Sequence, residues 1–298
     1  KNFIERASSS RSELDEDDRS TIIESRNEFV SQTTNLEAVS TVNPRLLQAE
    51  QVDDDETVAH LVNSYFNKPA IRNDRLPITK LEERIVSSVA SHRVTIIEGT
   101  TGCGKTTQVP QFIADSCAQN GINLNIIVTQ PRRIAASSIA ARVAKERNWE
   151  LGTLIGYQIG LDRNKVSQDT RLCYVTTGVL IQKLIHYKSL DQYSHIIIDE
   201  VHERSEETDL LMMIVKKFMT DNIGGKTKLI LMSATFDVEK LQKYFQLPVS
   251  IDSNSLDEIE IKMMEPTLIR IEEKPHKIRD FYLNDIRNLC DSNVNRGF

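Results

Sequence analysis

Residues 99–106 read GTTGCGKT: Gly99, Thr100, Thr101, Gly102, Cys103, Gly104, Lys105 and Thr106, with Thr107 next. The spacing G-x-x-x-x-G-K-T is that of a phosphate-holding turn. Its glycines let backbone N–H groups converge on phosphate oxygens, and the dipole of a following helix adds to the attraction. Lys105 would reach β- and γ-phosphates, and the Thr106 hydroxyl would bind Mg²⁺. The stretch VTIIEG before the turn suits a strand, and KTTQVPQFIADSCAQ after it suits a helix. The plainer alternative is a helix N-terminus holding an adventitious anion.

A second candidate is HIIIDEVHER (195–204), whose Asp199 lies ninety-four residues after Lys105. A buried apolar strand that ends in two adjacent carboxylates is costly unless positive charge sits beside them. Mg²⁺ on bound phosphates would supply it. Asp199 then holds the metal and Glu200 shares in the metal site. Glu200 also orients or deprotonates an attacking water, which makes the chemistry hydrolysis as well as binding. His202, two residues on, is placed to carry a signal from that site to another surface. The alternative is a strand end with a solvated acidic turn.

Two further stretches suit phosphate or nucleic-acid backbone. VTQPRRIAASSIAARVAKER (128–147) puts Arg132 and Arg133 at a strand-to-helix turn, where paired guanidinium groups match phosphate oxygens. Further along that helix, Lys145 and Arg147 read as solvated charges. YVTTGVL (174–180) and LMSAT (231–235) end strands in small hydroxyl residues, which taken singly read as helix N-caps.

These residues need elements to hold them. Apolar patterning predicts strands over 94–98, 124–129, 155–159, 171–176, 195–199 and 228–233. It predicts helices over 76–92, 105–118, 134–147, 178–186, 206–220 and 238–245. Strict alternation of strand and helix implies an α/β fold, a parallel sheet flanked by helices, with ligands beyond the carboxyl ends of the strands. The expected divisions are an acidic arm at 1–57, the sheet domain at 58–250, and terminal strands with a linker at 251–298. The arm reads as largely disordered, with one short helix over STIIESRNEFV.

Composition is that of a globular protein, 39% apolar and 27% charged. The longest purely apolar run, Leu210–Val215, is far too short for a membrane span, and the first residues lack the apolar core of a signal peptide. An intracellular chain with no membrane partner is expected, and its four cysteines read as reduced thiols. The net charge of −6 hides an asymmetry. Residues 1–56 carry 14 acidic against 6 basic side chains, and the remainder is +2. Overall charge therefore does not exclude a phosphate-backbone partner.

GTTGCGKTTQ, TQPRRIAA, TTGVL, DEVHER and SAT occur in the order seen in DEAH/RHA-type helicases of superfamily 2, and residues 76–250 resemble that family throughout. The resemblance implies a RecA-like P-loop NTPase that uses ATP and Mg²⁺ and binds single-stranded RNA. It implies that Arg132 and Arg133 touch the RNA backbone, as do Thr176 and Thr177. Arg142 would stack on adenine, and Ser233 and Thr235 would couple hydrolysis to domain movement. The form DEVH resembles the Tudor-domain helicases of the germline piRNA pathway. That narrower likeness implies RNA-mediated silencing in the cytoplasm, in perinuclear germ granules, with protein partners in a germline RNP.

The chain also departs from the family. It has no Gly-Arg pair, hence no arginine-finger motif of a second RecA-like domain, and Gly160 stands where relatives usually carry Arg. Arginine fingers contribute about 10³–10⁵ in rate elsewhere, so weak nucleotide binding and slow hydrolysis are expected of these residues alone. One alternative is a nucleotide-gated RNA clamp with little unwinding. Another is a transporter ATPase or small GTPase, against which stands the lack of a transporter signature and of N-K-x-D.

Overall fold

The computed structural model describes residues 74–160, 164–234, 238–252, 259–272 and 282–283. The acidic arm and Thr235 lie outside them.

Five strand-to-helix units build the described region. They are β1 (Val94–Gly99) with α2 (Lys105–Gln119), β2 (Ile126–Gln130) with α3 (Arg133–Arg147), β5 (Leu172–Thr176) with α4 (Thr177–Tyr187), β6 (His195–Ile198) with α5 (Glu206–Asp221), and β7 (Lys228–Ser233) with α6 (Val238–Tyr244). Helix α1 (Glu82–Ser91) precedes them. The predicted helix over 76–92 has Pro77 in its first turn, and that turn is 3₁₀ over Pro77–Leu81. Strands β3 (Ile155–Gln158) and β4 (Asn164–Lys165) follow α3. After α6 come β8 (Leu247–Asp252), β9 (Ile259–Met264) and β10 (Thr267–Ile271).

The central sheet has the order β10-β1-β7-β6-β2-β5-β3-β4. Every neighbouring pair is parallel except β3 with β4. This is the parallel α/β arrangement that the alternation predicts, in the RecA-like form that the resemblance implies. Strand side chains alternate between two cores. Ile97, Ile126, Val128, Ile197, Ile230 and Met232 pack with α1, α2 and α3 residues such as Ile85, Phe112 and Val143. Ile96, Ile127, Ile196, Ile198, Leu229 and Leu231 pack with α4 and α5 residues such as Leu184, Leu211 and Val215. A sheet covered on both faces explains why its strands read as unbroken apolar runs.

The sequence pattern closes this domain at residue 250. Strand β10 instead joins the sheet edge, pairing Thr95 with Thr267 through Gly99 with Ile271. Ile269 and Ile271 bury into the core. The folded unit therefore extends past the expected boundary, because a strand of five residues finds its place by packing rather than by any local signal. Strands β8 and β9 form a separate antiparallel hairpin.

Candidate active site

The turn between β1 and α2 lies at the carboxyl edge of the sheet. Gly104, the residue before α2, has φ 101°, and a Cβ there would lie 3.0 Å from both Ile78 Cγ2 and Leu76 Cδ1. Gly102 has φ 91° with nothing near it. Both are left-handed conformations that side chains resist. Lys105 is buried, and its ammonium turns back over the loop to donate to the carbonyls of Gly99 and Thr100, 3.0 Å in the second case. That holds a cation inside a ring of backbone.

Helix α2 contains Pro110, which has no N–H to offer the carbonyl of Thr106 four residues earlier. A buried carbonyl left unpaired costs about 1–3 kcal/mol. Tyr174 of β5 supplies the missing donor, its hydroxyl 3.0 Å from the Thr106 oxygen. Burial, then the charges of Asp199 and Glu146, hold the Tyr174 phenol well above its usual range, so it stays protonated and donating. The first turn of α2 is thus tied to β5.

The Thr106 hydroxyl donates to Asp199 Oδ2 at 2.6 Å. This bond spans 93 residues and unites the two motifs. Asp199, 2% exposed, follows β6. Its Oδ2 also accepts from Gln130 Nε2 at 2.7 Å, and its Oδ1 accepts from the Glu200 amide at 2.8 Å. Burial raises the Asp199 carboxyl above its usual range. The donors on Thr106, Gln130 and Glu200, and the Lys105 charge, pull it back. Glu200 is raised too, by burial first and by Asp199 second, while His202 and Lys105 oppose. Paired carboxylates with raised affinity for protons, beside a buried lysine, are a hallmark of a chemical site.

The donor set suits Mg²⁺. A hydroxyl and a carboxylate oxygen converge, and hard oxygen ligands are what this ion takes, usually only one or two from protein. Among the described residues no cluster of three or more His, Cys, Asp or Glu could enclose a metal by itself. Phosphate and water would complete the shell.

Glu200 and Arg204 both take left-handed backbone, φ 54° and 48°, on either side of the short 3₁₀ turn Val201–Glu203. The turn brings His202 Nδ1 to 3.3 Å from Glu200 Oε2 and to 3.3 Å from the Ala234 amide after β7. One nitrogen cannot accept from Ala234 and donate to Glu200 at once. A bare Nδ1 serves the amide, and an Nδ1 that carries hydrogen serves the carboxylate. The side chain of Ser233, next to Ala234, is buried and has no hydrogen-bond partner among the described residues.

The profile of the family described as DEAD/DEAH box helicase matches residues 79–244, more than half of the chain. The chain belongs to the DEAD/DEAH box helicase family. Among curated relatives, it is 45% identical over 219 residues to "ATP-dependent RNA helicase TDRD9" of Rattus norvegicus and of Mus musculus. Those residues cover 74% of this chain and 15% of the relative. It is 42% identical over 264 residues to "Probable ATP-dependent RNA helicase spindle-E" of Culex quinquefasciatus, covering 87% of this chain and 18% of that protein. The chain thus spans less than a fifth of the length of these relatives.

Several other expected residues of this helicase-family chain lie on the same edge. Parallel register sets Thr129 beside Ile198 and Gln130 beside Thr176, so Asp199, Gln130 and Thr176 end three adjacent strands. Arg132 and Arg133 are exposed at the start of α3, and Arg132 pairs with Glu203 of the 3₁₀ turn at 3.1 Å. Thr176 is half-buried, but Thr177 is 3% exposed in the first turn of α4. Arg142 is exposed on α3 and donates through Nε to Glu146. Glu146 also accepts from Gln108 and Gln111 of α2, which ties α3 to the helix of the phosphate turn.

Arg147 overturns its reading as a solvated charge. It is 6% exposed, forks onto both carboxylate oxygens of Asp115 at 2.6 Å, and lies 5.5 Å over the Trp149 ring. Lys145 is exposed as expected. Three contributors to the site are given no role from the sequence: Gln130 and Tyr174, which lie inside the quoted stretches, and Glu146. Gln130 does have a usable signal, a polar residue just after the apolar run Ile126–Val128, a pattern like the one that singles out Asp199.

Proposed function

We propose that this chain is the ATP-binding domain of an ATP-dependent RNA helicase or RNP remodeller. The single observation that carries the reading is the Thr106–Asp199 bond, which joins phosphate turn and strand-end carboxylate at one point of the sheet edge. The amides of residues 99–106 and the Lys105 ammonium bind the phosphates of ATP. Thr106 and Asp199 hold Mg²⁺. When bound, that ion neutralises charge on the β- and γ-phosphate oxygens. Glu200 orients the attacking water and takes its proton, a role that suits a carboxylate whose proton affinity burial has raised. Arg142, anchored at Nε by Glu146, keeps one guanidinium face for the adenine.

Arg132, Arg133 and Thr176 form the RNA-backbone edge beside this site, and His202 with Ser233 and Thr235 relays its state onward. The likeness to relatives named as RNA helicases, and the DEVH form, support an extension of this reading. In it the protein acts in germline piRNA silencing, in cytoplasmic granules, among RNP partners. Among the described residues no helix is long and apolar enough to cross a membrane.

Replacement of Glu200 by Gln tests the reading. RNA-stimulated ATP hydrolysis by a protein carrying this domain should fall about 10²–10⁴-fold, the contribution of a positioned general base, with Mg-ATP binding retained. Remodelling that persists undiminished in E200Q would point instead to a nucleotide-gated RNA clamp.

A further inference from the structure

Gln130 closes β2 with its side chain 2% exposed, and its amide donates to Asp199 Oδ2 at 2.7 Å. We propose that Gln130 is a positioning residue for the metal site, fixing the plane of the Asp199 carboxylate independently of nucleotide. This rests on the reading of Asp199 as the carboxylate that holds Mg²⁺.

Among the described residues, three donors reach Asp199: the Thr106 hydroxyl, the Gln130 amide and the Glu200 N–H. The first belongs to the phosphate turn and is itself a ligand candidate, so it is shared between carboxylate and metal. The Glu200 N–H holds Oδ1 only. Among the described residues, Gln130 is the one side chain that restrains Oδ2 and has no claim on phosphate. Its chemistry suits that task. A lysine or arginine at this point would neutralise the carboxylate and weaken its hold on a cation. A primary amide orients the oxygen and leaves the negative charge for the metal. Such outer partners of a ligand typically change metal affinity 10–100-fold when removed.

The position of Gln130 adds a consequence. Arg132 lies two residues on and bridges to Glu203, four residues after Asp199. The end of β2 and the turn that follows it therefore grip the segment after β6 twice, once buried through Gln130 and once exposed through Arg132. The buried grip is the one that holds a ligand atom.

Gln130→Met keeps length and apolar bulk and deletes the donor. The measurement is titration of a fluorescent ADP into this chain in EDTA and at graded Mg²⁺, with thermal melting as a check of fold. The expected result is an Mg²⁺ half-saturation raised about tenfold, the lower end of that range, with metal-free ADP affinity unchanged within about twofold. An unchanged Mg²⁺ half-saturation overturns the proposal. So does an equal loss of metal-free and metal-dependent affinity, which would mark Gln130 as merely structural. Asp199→Asn runs alongside. If it too leaves the Mg²⁺ dependence intact, the metal reading of Asp199 fails and takes the Gln130 role with it. Should Q130M not fold, Gln130→Asn, which keeps the amide but cannot reach, replaces it under the same expected and contrary results.

Discussion

The two edges of the sheet bury polar groups to opposite ends. At the amino edge His195 opens β6. Burial, and then the charge of Lys228, push its pKa down to about 4, so the ring is neutral. Around it polar groups close connections. Ser194 lies 2.9 Å from the His195 ring, the Thr227 hydroxyl is shared between the carbonyls of Leu190 and Tyr193, and Lys228 caps the end of α1 at Ala90 and His92. At the carboxyl edge donors converge instead on Asp199, a carboxylate that would be more easily buried as an amide. One edge neutralises what it buries. The other keeps a charge and builds a frame around it, and that difference marks the functional edge.

The strongest way to break this comparison is Lys105→Ala. Two charge-assisted phosphate contacts at about 2 kcal/mol each correspond to roughly a thousandfold loss in nucleotide affinity, readable by calorimetry. A loss below tenfold would mean that the phosphates lie elsewhere.

Next comes acid stability at the opposite edge. The folded pKa of His195 lies below its ordinary 6.5, so its contribution is full above pH 6.5 and is lost as pH falls through about 4. Denaturant titrations at pH 7 and pH 4 should differ by about 3 kcal/mol more in wild type than in His195→Gln.

The smallest effect concerns Asp199→Asn. The Asp199 carboxyl is raised above 3.8, so the folded state binds this proton more tightly than the unfolded chain does, and the stability this contributes is lost as pH rises from about 4 through the raised value. Asn does not titrate. The melting temperature of the variant should therefore gain on wild type between pH 4 and 7. A constant difference would show that burial does not penalise this charge.

Much of the fold was legible, for a physical reason. Stretches such as 196–198 and 229–232 are apolar throughout because both faces are covered, and each is followed by polar residues. Lys105 and Thr106 were legible because their fixed spacing from the glycines is what a phosphate demands of a tight turn. Asp199 and Glu200 were legible because two carboxylates closing an apolar strand require a cation beside them. The rest depends on pairs far apart in sequence. Nothing near Thr106 announces that Tyr174 would answer for Pro110, and nothing near Arg147 announces Asp115. The place of β10 beside β1 is likewise decided by packing against Gly99, where a Cβ would come within 2.9 Å of Ile271.

The most direct test of the shared phosphate–metal site is anomalous diffraction from crystals of this chain grown with Mn²⁺ and ADP. The account predicts one manganese peak in contact with Thr106 Oγ1 and beside Asp199, with the phosphates in the loop of residues 99–106. Manganese remote from both side chains, or phosphates bound away from that loop, would contradict it.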